Sequence, residues 1–190
     1  MTAMDKVYDF DPYKIPREIL EAIGLVTACY AQTETMIQEA IAGCAGVDME
    51  VGRALTTHMT APLRIDVLRA LAEITIDDLD ALDQLDALID QFNAAAKKRN
   101  GYAHHVWAVH PQTRKVLTIN ESARGTLKAE MTPVTVEQIR ADALFIFEVG
   151  MKFMAFLQDH GLLSALRYDR PPRGHKTKAA RKKRREAKGA

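Results

Sequence analysis

One apolar stripe constrains this chain more than any other feature. Ile19, Ile23, Val26, Tyr30, Thr33, Ile37, Ala40, Ile41 and Cys44 recur at spacings of three and four residues, the period of one helical face, over about seven turns. Pro16 is placed to open this helix, because a first-turn residue has no intrahelical partner for its N–H. Gly43 or Gly46 is placed to end it. A helix with one apolar face depends on tertiary packing for most of its stability, so the rest of the chain must supply the covering surface.

The covering surface is legible as further helices. A second helical segment runs from about Glu50 to Ile74, with a kink or restart expected at Thr60-Ala61-Pro62, where proline removes a hydrogen bond. Asp77 or Asp78 caps the next helix, with a seam of Leu82, Leu85, Ile89, Phe92, Ala96, Arg99 and Ala103. After His105 the pattern turns to alternation. Val106 to Val109, a polar turn, and Lys115 to Ile119 predict a β-hairpin at about 105–128, with irregular chain, or a third short strand within it, from Asn120 to Pro133. Thr135 and Gln138 have capping-box spacing and open a last helix with the seam Ile139, Ala143, Ile146, Gly150, Phe153 and Leu157. Such stripes bury against each other. The expected fold is all-α: a four-to-five-helix up-down bundle over residues 16–162, with an inserted hairpin, an N-terminal arm over 1–15 and a tail over 163–190.

Composition narrows the setting. No apolar run reaches the roughly 18 residues of a membrane span, and the start Met1-Thr2-Ala3-Met4-Asp5 lacks the order of a secretory signal. A cytoplasmic protein without membrane association is expected. Cys29 and Cys44 lie roughly 22 Å apart if both sit on the first helix, too far for a disulfide. His58, His104, His105 and His110 have no recognised ligand spacing, so neither metal nor cofactor is expected.

Chemistry is concentrated where the third seam turns polar. Arg99, Asn100 and His104 place a cation, an amide and an imidazole at the end of a face that is apolar for four turns. Such a breach of patterning marks a functional position. The bland reading pairs Arg99 with a carboxylate such as Glu34 and leaves His104 as a helix cap. Gly101 loosens the helix within the run, and His105 doubles the imidazole; His104 is preferred because it shares a face with Asn100. Trp107 is expected to pack within the hairpin.

The run Arg99-Asn100-x-x-x-His104 resembles the Arg-x(4–6)-His signature of HEPN domains, in the variant with asparagine after the arginine. The likeness extends over about residues 17–160: a long first helix carrying an acidic residue, here Glu34 within Gln32 to Ile37, then helices leading to the motif, a nearby tryptophan, and a closing helix. It implies a homodimer in which two motifs form a composite, metal-independent RNA-cleaving site. Arg99 would stabilise phosphorane charge, His104 would transfer protons and Asn100 would orient, with Glu34 and His105 as supporting residues. The products would carry 2′,3′-cyclic phosphate. The resemblance also implies a toxin or defence setting, with an antitoxin or inhibitor protein as partner. The alternative is a non-catalytic helical module that dimerises or binds nucleotide or a partner protein through the same surface.

Charge is segregated. Residues 167–188 hold eleven Lys or Arg against Asp169 and Glu186, so this stretch carries +9 and the remainder −8, for +1 overall. The segment Arg181, Lys182, Lys183, Arg184 and Arg185 has no apolar content with which to build a core, so a disordered tail is expected. Phosphate neutralisation dominates nucleic-acid affinity, which makes RNA tethering its expected role.

Overall fold

The computed structural model describes residues 8–122, 128–163, 182–183 and 185–187. Helix α1, Arg17–Cys44, buries the predicted stripe, with Ile23 half-buried at its margin. The predicted second segment is two helices, α2 (Met49–Thr56) and α3 (Ala61–Thr75). Asp48 caps α2 by accepting a hydrogen bond from the Val51 N–H at 3.0 Å, and α3 restarts with Pro62 in its first turn. Helix α4, Leu79–His104, is capped by Asp78, and α5, Val136–Asp159, by Thr135, which accepts from Gln138 N–H. The whole predicted α5 seam is buried.

Side-chain contacts fix the helix directions. Thr33 Oγ1 donates to the Ile146 carbonyl at 2.8 Å, and a Cβ on Gly150 would lie 2.7 Å from the same hydroxyl. Ten residues further along α1, a Cβ on Gly43 would collide with the Leu162 carbonyl. Contacts therefore advance together, and α1 and α5 run parallel. Lys98 meets Asp142 while Lys152 meets Gln91, so α4 runs against α5. The short α2 supplies a return leg, leaning Gly52 on Ala42 of α1, and five alternating helices bring first and last into the same direction. The main core joins α1, α3, α4 and α5 through Tyr30, Ile37, Leu68, Ile89, Phe92, Ile146 and Phe153.

Between α4 and α5 the chain forms more than a hairpin. Strands β1 (Val106–Val109), β2 (Val116–Ser122) and β3 (Lys128–Val134) make an antiparallel sheet in that order. Of the two expectations for Asn120 to Pro133, the third strand is the one found: the stretch contains the end of β2 and most of β3. Its polar residues hide the alternation, because β3 is exposed except at Val134. Val109, Val116 and Val134 join the main core, while Ala108, Leu117 and Ile119 form a second cluster with Tyr8. The arm is pinned to β1 by a pair of 2.8 Å backbone bonds between Asp9 and Val109.

A second correction concerns the α4 seam. Ala103 is exposed, and Tyr102 takes the inward position. From Phe92 the buried face steps by three to Ala95, by four to Arg99 and by three to Tyr102, as a 3.6-residue period requires. Most of the basic tail, including Arg181 and Arg184, lies outside the described residues. Residues 182–183 and 185–187 are helical and exposed in place of the irregular chain expected, and Lys182 stands 3.8 Å from Glu186 one turn on, a spacing that supports helix. Among the described residues no helix is long and apolar enough to cross a membrane.

Candidate functional site

The last two turns of α4 carry the site, and three contacts fix where they end. Tyr102 donates its phenol to Asp142 Oδ2 of α5 at 2.5 Å, and Lys98 Nζ holds the other carboxylate oxygen at 2.6 Å. Trp107 Nε1 on β1 donates to the Tyr102 carbonyl at 3.2 Å, with the two rings stacked at 6.3 Å. Burial, then the Asp142 hydrogen bond, pushes the Tyr102 phenol well above its ordinary value, so it serves as a fixed neutral donor. Trp107 is thus a packing residue. The chain then leaves the helix at His105, whose N–H still reaches the Gly101 carbonyl at 3.2 Å, and enters β1 at once.

Arg99 lies on the α1 side of this helix end. Its guanidinium carbon is 5.2 Å from the Tyr30 ring centroid, and Nη1 donates to Asn100 Oδ1 at 3.0 Å. Glu34, the carboxylate expected as its partner, is taken by Arg64 at 2.9 Å, while Arg64 Nε also reaches the Thr56 carbonyl. Burial and the Glu34 charge push the Tyr30 phenol up, and Arg99 and Arg64 pull it down, which places all four groups in one electrostatic neighbourhood. Arg99 therefore has an aromatic and an amide contact and no ion pair among the described residues. A half-exposed cation held this way keeps its charge available to an anion.

Asn100 and His104 line a cleft of about 680 Å³ on the sheet side of α4, together with Asn93, Lys97 and His105. The opposite wall is Val106 of β1 and Ile119, Asn120 and Glu121 of β2. His104 is exposed; His105 is half-buried, with its ring lying over Gly101. Both imidazoles thus border the cleft, and His104 is the one that projects into solvent. The structure brings Arg99 to Asn100 and Asn100 to the His104 cleft; it gives Glu34 to Arg64, and leaves Lys182, Lys183 and Arg185 on an exposed segment.

Several residues here are invisible to motif reading. The stripe Asn93, Lys97, Asn100, His104 has spacings of four, three and four, a signal as regular as an apolar seam that is overlooked because polar helix faces are ordinarily just solvated. The Tyr102–Asp142 bond spans 40 residues and has no local signature. Among the described residues no three His, Cys, Asp or Glu side chains are grouped to hold a metal ion. Comparison with protein-family models, with curated proteins and with solved structures gave no match.

Proposed function

We propose that the chain is a HEPN-type, metal-independent endoribonuclease that works as a homodimer, with Arg99, Asn100 and His104 as its reacting groups. The observation that supports this most is Asn100: it accepts from the Arg99 guanidinium while lining the cleft that His104 borders. The motif thus forms a connected, solvent-facing set of cation, amide and imidazole. Its cation is spared neutralisation because Glu34 is engaged by Arg64. A buried, self-satisfied Arg–Glu pair would have favoured the non-catalytic module.

The chemistry follows from the groups. RNA carries its own nucleophile, the 2′-hydroxyl. His104 in its neutral form takes that proton as the 2′-oxygen bonds to phosphorus, and the P–O5′ bond breaks. The leaving 5′-oxygen takes a proton from an imidazolium or water, so the products are a 2′,3′-cyclic phosphate and a 5′-hydroxyl. Arg99 neutralises the extra charge on the phosphorane oxygens through paired N–H donors. Asn100 fixes the guanidinium. A second copy of the motif, brought in across a two-fold axis, supplies the other acid–base group. A toxin or defence role with an inhibitor protein as partner belongs to the same proposal.

The test is RNA cleavage in EDTA. Arg99→Ala and His104→Ala each lower the rate by roughly 10² to 10⁴, and the double variant is little worse than either, because both groups serve one step. Substrates lacking the 2′-hydroxyl at the cut position stay intact. If both variants cleave as wild type yet lose dimerisation or nucleotide binding, the helical-module reading replaces this one. A monomer by light scattering at tens of micromolar removes the composite site.

A further inference from the structure

The cleft beside the motif has features that phosphate chemistry alone does not require. Asparagine is a poor residue for a helix interior, yet α4 places two on one face, at 93 and 100, and the Asn93 side chain has no hydrogen-bond partner among the described residues. Lys97 lies between them, likewise without a partner there. Gly101 lies beside Asn100, and a Cβ there would meet only the His105 ring, at 3.5 Å. Between Lys97 and His104 the cleft floor therefore has no side chain of its own at Gly101 and is covered there by the His105 ring.

The facing wall is unusual in the same way. Pairing of β1 with β2 ends at Val106 opposite Ile119, while β2 continues against β3 to Ser122. Asn120 and Glu121 thus overhang β1 alongside the polar stripe, and no side chain of the described residues engages Glu121. Val106 and Ile119 add an apolar edge. An imidazole ring over the floor, an apolar edge and polar groups on both walls in a cleft of this size suit a small planar ligand.

Resting on the ribonuclease reading, we propose that this cleft is a base subsite beside the scissile phosphate and that it takes guanine. Single-stranded RNA presents unstacked bases whose edges can be read by side chains. Ionised Glu121 only accepts hydrogen bonds. Guanine offers it two parallel donors, N1–H and the 2-amino group. Uracil offers one donor flanked by two carbonyl oxygens that a carboxylate repels; adenine and cytosine present one amino group each beside a ring-nitrogen acceptor. On guanine's other side, O6 and N7 are acceptors, which suit the Lys97 ammonium and the Asn93 amide of the helix wall. The acceptor on the sheet and the donors on the helix sit on opposite walls, as guanine's 2-amino group and N7 lie on opposite sides of the base.

The experiment is calorimetric titration of the full chain with the 3′-monophosphates of guanosine, adenosine, cytidine and uridine, beside a tetranucleotide with one 2′-deoxyguanosine that cannot be cut there. Guanosine monophosphate binds at least about 10-fold more tightly than the others, and Glu121→Gln, isosteric and on an exposed strand end, removes roughly 10- to 100-fold of that preference. Asn93→Ala weakens all guanine binding. A tetranucleotide that binds more tightly than the mononucleotide assigns the base to an RNA strand; equal affinities assign it to a free nucleotide and overturn the strand subsite. Four equal affinities, or an unchanged preference in Glu121→Gln, overturn the guanine assignment even if RNA is cleaved. Guanine-selective binding without any RNA cleavage upholds the subsite and sinks the ribonuclease.

Discussion

The two ends of α4 are built on different rules. From Leu79 to Ala95 the helix buries Ala81, Leu85, Leu88, Ile89, Phe92 and Ala95 and turns four aspartates, at 80, 83, 86 and 90, toward solvent. From Ala96 to His104 it has no fully buried residue and carries Lys97, Lys98, Arg99 and His104. Acids near the N-terminus and bases near the C-terminus both complement the helix dipole, so charge order alone is stabilising. What differs is the use of the inward face. In the first half it fills the bundle; in the second it holds an arginine over Tyr30 and a tyrosine on Asp142. Packing dictates one half, and the other is held in place by packing while keeping most of its polar groups in solvent.

The largest effect that can break this contrast is in the core half. Phe92 is 2% exposed and packs between Tyr30 and Phe153, so Phe92→Ala lowers unfolding free energy by about 3–5 kcal/mol. Arg99→Ala, two turns away, removes an exposed-site cation–aromatic interaction of about 0.5–1 kcal/mol. Urea denaturation compares them directly. Equal losses would mean that Arg99 is structural and that the division of α4 is mistaken.

Next is the bond that ties the second half to α5. Tyr102→Phe removes the bond to Asp142 and costs about 1.5–3 kcal/mol, as expected for a hydrogen bond to a charged group. The pH dependence is more diagnostic. Burial and Asp142 raise the Tyr102 pKa above its ordinary 10.0, so above pH 10 the unfolded chain releases a proton that the folded chain retains. The stabilisation is complete below that pH and declines as pH rises toward the folded-state value. Tyr102→Phe flattens the fall in stability between pH 9 and 11; an unchanged slope would assign it to Tyr30, which burial also raises.

The smallest effect on the folded domain belongs to the tail. Removing residues after Arg170 leaves the thermal midpoint within experimental scatter but weakens RNA binding and flattens its salt dependence, by roughly 0.7 in logarithmic slope for each phosphate that the tail neutralises. A slope that does not change leaves the tail without an RNA role.

How much of this is readable depends on whether a signal is local. The α1 stripe, the α5 seam and the caps at Asp48, Asp78 and Thr135 follow from neighbours two to four residues apart, and Asp78 and Thr135 stand out as caps in the sequence itself. Strand β3 does not, because a strand exposed along nearly its whole length carries no alternation. The motif is legible as Arg99, Asn100 and His104, but the partner of Arg99 is not. Several carboxylates compete for each arginine, and only the packed α3 brings Arg64 to Glu34.

The sequence by itself determined the helices, the interruption at Pro62 and the polar end of α4, since periodicity and proline act within a few residues of chain. Tertiary structure decided the parallel course of α1 and α5, the pairing of Glu34 with Arg64 and the cleft between the α4 stripe and the overhang of β2. Each of these joins residues separated by 16 to more than 100 positions, and such contacts exist only after the helices have chosen which faces to bury.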